Sequence, residues 1–275
     1  MKELRLHLFL HTAILFSLSQ GIALAIVDQL KSLALTESMV VTGELPFLQF
    51  LLFFFALTAF FLILLQLYKG HFFYRFVFFI AVFVGLLKVF ELVFPLSLSI
   101  IVSGFFILGL LLLPLVWVHN LIVVLAGAGI GAVFGLQFHW IYAYLLLAIL
   151  SFYDIIAVFI TRHMVSLAQE LIKRQATFAL LVPQRWRDMR VSLGEVKPGS
   201  GFLILGGGDV VLPMIFLTSL YLERPQAVAG VFIGMIAGLF ANHVILIRVH
   251  RPLPALPLIT LGALGGILIH FFVTI

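Results

Sequence analysis

The chain alternates long apolar runs with brief polar interruptions. Nine runs can be marked, at 4–27, 47–68, 72–94, 96–117, 119–136, 138–162, 200–221, 225–248 and 253–274. Each is close to the ~20 apolar residues that carry a helix across a bilayer. The interruptions are Asp28 to Pro46, Lys69-Gly70-His71, Pro95 and His119-Asn120, the last being the weakest division because no charge separates the fourth run from the short fifth. One long hydrophilic stretch remains, 163–199, where Val165 to Thr177 has the pattern of a short amphipathic helix. The pattern predicts an all-α polytopic membrane protein of nine transmembrane helices. Residues 1–275 form a single membrane domain with 163–199 as a solvated loop. The first run, with Lys2 and Arg5 ahead of it and Ala23-Leu24-Ala25 within it, has the outline of a signal peptide. Its apolar part, 6–27, exceeds a usual signal core, so an uncleaved first span is expected.

Composition agrees. The chain is 64% hydrophobic and 10% charged, with mean hydropathy +1.27, against about 25% charged residues in soluble domains. A net charge of +5 would ordinarily raise the question of nucleic acid. Here the distribution answers it. With the N-terminus inside and nine helices alternating, only Lys31, Lys88 and Arg224 of the 16 basic residues fall outside, leaving 16 − 3 = 13 inside. That is the positive-inside signature. It predicts a cell-membrane protein with a cytoplasmic N-terminus and an external C-terminus, whose partner is the lipid bilayer and not nucleic acid. There are no cysteines, which removes disulfides, thiol chemistry and Cys-ligated zinc. The nine histidines form no His-Glu-x-x-His motif. His7 and His11 share a helix face without a Glu beside His7, so they are expected to pack, and no metal or other cofactor is expected. Glycines recur at four-residue spacing in Gly127/Gly131/Gly135, Gly230/Gly234/Gly238 and Gly262/Gly266, which predicts faces where helix backbones come close.

Two acidic residues stand inside apolar runs: Asp154 in the sixth and Asp209 in the seventh. An Asp near the centre of a spanning helix costs about 2.5–3.5 kcal/mol on insertion scales, and its default reading is functional. Asp154 lies eight residues before Arg162, and Asp209 nine residues after Ser200. With a helical rise of ~1.5 Å per residue, both fall ~12–14 Å below the inner surface. Adjacent antiparallel helices then bring them face to face. Two carboxyls that meet in low dielectric hold one proton between them. The ionised one can take a proton from water while the protonated one hydrogen-bonds a peptide carbonyl, the division of labour in aspartic proteases.

Two further elements fit that need. Gly206, Gly207 and Gly208 precede Asp209, weakening the helix and leaving room beside the carboxyl for an extended segment. Pro252, Pro254 and Pro257 flank Ala255 and Leu256 at the start of the ninth run, where irregular backbone is tolerated only against protein or a wet cavity. A kink or a plain helix start accounts for either element taken alone.

Together the three elements resemble the presenilin and signal peptide peptidase family of intramembrane aspartyl proteases. Tyr153-Asp154 matches the family's Tyr-Asp on the sixth helix, Gly206-Gly207-Gly208-Asp209 its Gly-x-Gly-Asp on the seventh, and Pro254-Ala255-Leu256 its Pro-Ala-Leu at the ninth. The resemblance implies Asp154 and Asp209 as the catalytic pair. Tyr153, the three glycines and Pro254-Ala255-Leu256 would then shape the site and engage substrate. It implies transmembrane or signal-peptide substrates, no accessory subunits and no cofactor, and leaves homo-oligomers open. An inside N-terminus matches the presenilin orientation, whereas Val210-Val211-Leu212-Pro213 looks more like the peptidase branch. Gly207 stands where the family commonly has a larger apolar residue, which implies a different cleavage preference. The 163–199 loop is short beside that of presenilin, which argues against autocleavage.

Rivals fit less well. Ser103-Gly104 lacks the flanking pattern of a rhomboid-type serine protease, and Val211 stands where prepilin peptidases, which share a GxGD-type Asp, are expected to have Lys. From another class, a proton-coupled transporter also uses paired intramembrane carboxylates and broken helices. The three ordered motifs favour the protease.

Overall fold

The structure, a computed structural model, describes residues 2–37, 48–49, 52, 56, 71–160, 177–196, 201–249 and 253–274. Eight long helices appear among the described residues: α1 (Lys2–Glu37), α2 (His71–Phe90), α3 (Leu96–Leu112), α4 (Val116–Gly135), α5 (Trp140–Ile155), α6 (Gly207–Glu223), α7 (Val228–Val249) and α8 (Leu256–Thr274). The predicted second span, 47–68, and the amphipathic stretch 165–177, apart from Thr177, fall almost wholly outside the described residues. From α2 onward the helix labels therefore run one behind the predicted spans. Among the described residues, four helical stretches are long and apolar enough to cross a membrane, at Leu6–Ser32, Val116–Gly135, Trp140–Phe159 and Pro225–Val249, with shorter apolar helices at Leu96–Leu112 and Leu256–Phe272. The chain is an integral membrane protein.

The peripheral helices bury one face and leave the other apolar face open. In α1, Phe16, Ala23 and Val27 are buried, while Leu6, Leu10, Ile14 and Leu18 are about half exposed at four-residue spacing. In α2, Val82 and Leu86 are buried, while Phe76, Ile80 and Val84 face out. Outward leucine and phenylalanine stripes would be costly in water and are at home in lipid. α4 lies at the centre, its face toward α6 lined by Gly127, Gly131 and Gly135. A Cβ added at Gly131 would overlap Met214, and one at Gly135 would overlap Thr218. On its other side, Gly85 and Gly129 bring α2 and α4 into backbone contact, and the glycines of α7 and α8 interlock in the same way. The expected small-residue stripes are thus helix contacts.

Three sequence expectations change. The division between the fourth and fifth spans falls at Leu113–Leu115, not at His119-Asn120. Pro114 explains it, since it cannot donate a helical hydrogen bond and disfavours helix in the residue before it. The break is sewn to the segment after the first strand: Val116 N–H donates to Val191 O (3.1 Å) and Leu193 N–H to Pro114 O (2.7 Å). Next, part of the supposed solvated loop is core. Ala179–Pro183 is a fully buried strand, β1, paired antiparallel with β2 (Phe202–Gly206) in the register Ala179↔Gly206 to Pro183↔Phe202. Finally, the seventh span does not begin as a helix: β2 leads directly into α6.

His119 and Asn120, buried in the first turns of α4, explain why a strand can lie there. The Asn120 carboxamide donates to Leu181 O (2.7 Å) and accepts from Leu181 N–H (2.9 Å), as a neighbouring strand would. His119 Nε2 lies 3.0 Å from Ala179 O. Two side chains of a helix thus satisfy one edge of β1, and β2 satisfies the other.

Candidate active site

Asp154 sits in the last turn of α5, 5% exposed. A π-helical turn, Ile156–Ile160, follows at once, a local widening of the helix often found at functional sites. Ser151, one turn earlier on the same face, is also buried. Tyr153 is 58% exposed. It lies on the outward surface of α5, and the structure does not bring its phenol into the cluster around Asp154.

Asp209 belongs to the first turn of α6, for which Gly206 is the N-cap. Its carboxyl turns back toward the Gly206 backbone N–H, the local geometry in which an acidic side chain in the first turn satisfies an orphan donor at a helix start. The three glycines before it differ in role. A Cβ at Gly207 would overlap the Phe178 carbonyl oxygen just ahead of β1. A Cβ at Gly206 would come within 3.2 Å of Asp209 Oδ2. One at Gly208 would meet only Leu212 Cδ1, at 3.9 Å. The glycine in the variable position of the motif is therefore the one the fold requires, and Gly208 faces open space.

Two features shape the start of α6, one within the helix and one from α1. Pro213 lies inside the helix, so the carbonyl of Asp209, four residues earlier, loses its usual donor and the helix is loosened there. Gln20, wholly buried in α1, donates its Nε2 to Val210 O at 3.1 Å.

The third element closes the site. Leu253 and Pro254 are non-helical, and α8 begins at Leu256, with Pro254, Ala255 and Leu256 all buried. The proline-rich segment is thus both an irregular wall and a helix start with Pro257 in its first turn. Its backbone does the joining: the Leu256 N–H is directed at Asp154 and at Asp209, and the two carboxyls lie within electrostatic range of each other. The two acids therefore lie within electrostatic range of each other, but the depth argument that leads the sequence reading to expect this does not hold as stated. Residues 202–206 are extended, rising ~3.3 Å per residue rather than 1.5 Å. Asp209 reaches the level of Asp154 as part of a helix start fed by a strand. The arrangement offers two acid oxygens, one backbone donor between them and a side-chain-free approach at Gly208.

The family model described as signal-peptide peptidase, presenilin aspartyl protease matches residues 13–275. The chain belongs to that family. Two solved structures of a presenilin family intramembrane aspartate protease share its fold. The one in space group C222 superposes with a TM-score of 0.67 at 22% identity, covering 96% of this chain and 99% of that one. The one in space group P2 gives 0.66 at 23% identity, covering 96% and 97%. No curated protein matches the chain.

Within this family member, sequence reasoning passed over four side chains that support the site. Gln20 and Ser151 are polar residues in apolar runs, and Thr260 follows Leu256 by one turn; each carried the signal of a polar group with no reason to be in lipid. Asn120 reads in the sequence as part of a break between spans, because it stands beside His119 near a span boundary.

Proposed function

We propose that this chain is an intramembrane aspartic endopeptidase that hydrolyses peptide bonds within transmembrane segments of membrane-protein substrates. Asp154 and Asp209 are the catalytic pair. The observation that carries the reading is the convergence of both carboxyls, from different helices, on the single Leu256 N–H. One ionised carboxyl takes a proton from water as its oxygen attacks the peptide carbon. The other, protonated, hydrogen-bonds the carbonyl oxygen and later supplies the proton for the departing amine.

A helical substrate must become extended before its carbonyl can be attacked. β2 supports this step: among the described residues it pairs with β1 alone, leaving an edge able to hold an extended segment by backbone hydrogen bonds. Gly206, Gly207 and Gly208 lie between that edge and Asp209, and Pro254-Ala255-Leu256 forms the facing wall. No cofactor enters the scheme.

The test is direct. Purified protein is incubated in detergent with a single-span substrate, and the products are mapped by mass spectrometry. Wild type yields defined internal cuts; Asp154→Asn and Asp209→Asn each yield none while keeping the wild-type thermal transition. Cleavage that persists in either variant would overturn the assignment. Wild-type protein that cuts nothing but moves protons across vesicles would favour the transporter.

A further inference from the structure

Ser151 and Thr260 meet between α5 and α8. Their hydroxyl oxygens are 2.6 Å apart, and the residues are 6% and 5% exposed. Each belongs to the face that carries a piece of the site: Ser151 precedes Asp154 by three residues, and Thr260 follows Leu256 by four. Each hydroxyl also lies within reach of a carbonyl one turn back in its own helix, Ser151 Oγ to Leu147 O (2.8 Å) and Thr260 Oγ1 to Leu256 O (2.8 Å).

Two hydroxyls carry two protons, whereas these contacts offer three hydrogen bonds. The protons therefore run in one direction as a chain. Either Ser151 donates to Thr260, which donates to the Leu256 carbonyl, or the chain runs the other way to the Leu147 carbonyl. In both cases the link between the helices is kept. Without it, one buried hydroxyl would still hold its own backbone carbonyl, but nothing polar would tie α5 to the first turn of α8.

We propose that the Ser151–Thr260 bridge is a positioning device for the catalytic pair, fixing the register of α8 against α5 so that the Leu256 N–H stands between the two carboxyls. The proposal rests on the protease reading above. Neither side chain touches a reacting atom; both act through Leu256 and through the turn that carries Asp154. Global packing does not depend on the bridge, because α8 is held independently to α7 by the interlocked Gly230, Gly234, Gly238, Gly262 and Gly266. Loss of the bridge is expected to shift register rather than unfold the bundle.

The experiment compares Thr260→Val, which keeps the shape and removes the hydroxyl, Thr260→Ser, which keeps the hydroxyl, Ser151→Ala, and the Ser151→Ala/Thr260→Val double variant. Thr260→Val and Ser151→Ala are each expected to lower kcat about tenfold, with KM within about twofold. Thr260→Ser is expected to restore kcat, and the double variant to be no worse than the weaker single variant. Wild-type kcat in Thr260→Val, failure of Thr260→Ser to rescue, or multiplying losses in the double variant would each overturn the proposal. Hydrogen exchange of the 253–260 backbone, measured in the Asp154→Asn background, gives a readout that needs no turnover. It is expected to quicken in Thr260→Val and not in Thr260→Ser. Unchanged exchange would sink the bridge even if the protease reading stands. If Asp154→Asn and Asp209→Asn themselves still cut, it is that reading which fails, and the exchange result still judges the bridge.

Discussion

At the scale of single residues, the glycines of the Gly-Gly-Gly-Asp run separate two jobs that the sequence presents as one. All three read as a flexible wall beside Asp209. Contacts with a distant segment of the same chain distinguish them, and those contacts are invisible without knowing that residue 178 comes alongside. Gly207 abuts the Phe178 carbonyl, so Gly207→Ala is expected to displace β1 from β2. It should lower the thermal transition and abolish cleavage together. Gly208→Ala meets only the Leu212 side chain, and the fold is expected to accept it with an unchanged transition. Any effect there should be on which bond is cut, read by product mass. Reversal of the two behaviours would show that the backbone approach is not what Gly207 serves. The acids themselves imply a second outcome. With one proton shared, activity is lost at low pH, where both carboxyls are protonated and none can accept from water. It is lost again at high pH, where neither can donate. A bell-shaped pH–rate profile is therefore expected, and a rate that climbs steadily into the alkaline range would contradict the shared proton.

At the scale of elements, the helices were legible and the strands were not. A 20-residue apolar run has few alternatives in a membrane, which is why each predicted span from the third to the ninth carries a helix, although that of the sixth stops at Ile155 and that of the seventh starts only at Gly207. β1 and β2 are five residues each. Phe202–Gly206 reads as part of the following helix because a short apolar run has no period of its own. Ala179–Pro183 reads as loop because basic residues surround it. A signal was present: Leu180, Leu181 and Val182 form a compact apolar run closed by Pro183, and Gly201, at φ +89°, supplies a turn conformation ahead of β2. What neither run discloses is the partner on the far edge of β1. Asn120 provides it, and its loss tests the role. Asn120→Leu leaves the Leu181 N–H and C=O buried without partners, a cost of about 1–3 kcal/mol. The expected result is a lowered thermal transition with a larger loss of cleavage than of stability, since the hairpin feeds Asp209. Wild-type behaviour of Asn120→Leu would mean that β1 does not need its second edge.

At the scale of the whole molecule, the contacts between helix ends constrain how the chain threads the bilayer. Ends that the alternating topology assigns to the outer side touch one another. Glu223 pairs with His139 (2.9 Å), Tyr221 donates to Asp28 (2.5 Å), and Gln29 donates to Leu92 O (2.8 Å). Ends assigned to the inner side do the same: Trp186 packs against His7 and His11, and Leu193 N–H meets Pro114 O. The Gln29 contact is the informative one. It places the C-terminal parts of α1 and α2 together, so the two helices run the same way. On that ground we propose that the second span the sequence predicts, 47–68, crosses the membrane, for nine spans in all. The absence of cysteine makes the idea easy to test, because single cysteines need no background removed. In intact cells, Gln226→Cys is expected to react with a membrane-impermeant maleimide, whereas Gly70→Cys and Glu195→Cys are expected to react only after the membrane is opened. Ser32→Cys, at the exposed outer end of α1, is expected to react as Gln226→Cys does, and labelling of 32 together with 70 would remove the second crossing. Labelling of 70 and 195 but of neither 32 nor 226 would keep the second crossing and invert the protein, moving the aspartates toward the opposite face and the charge argument with them.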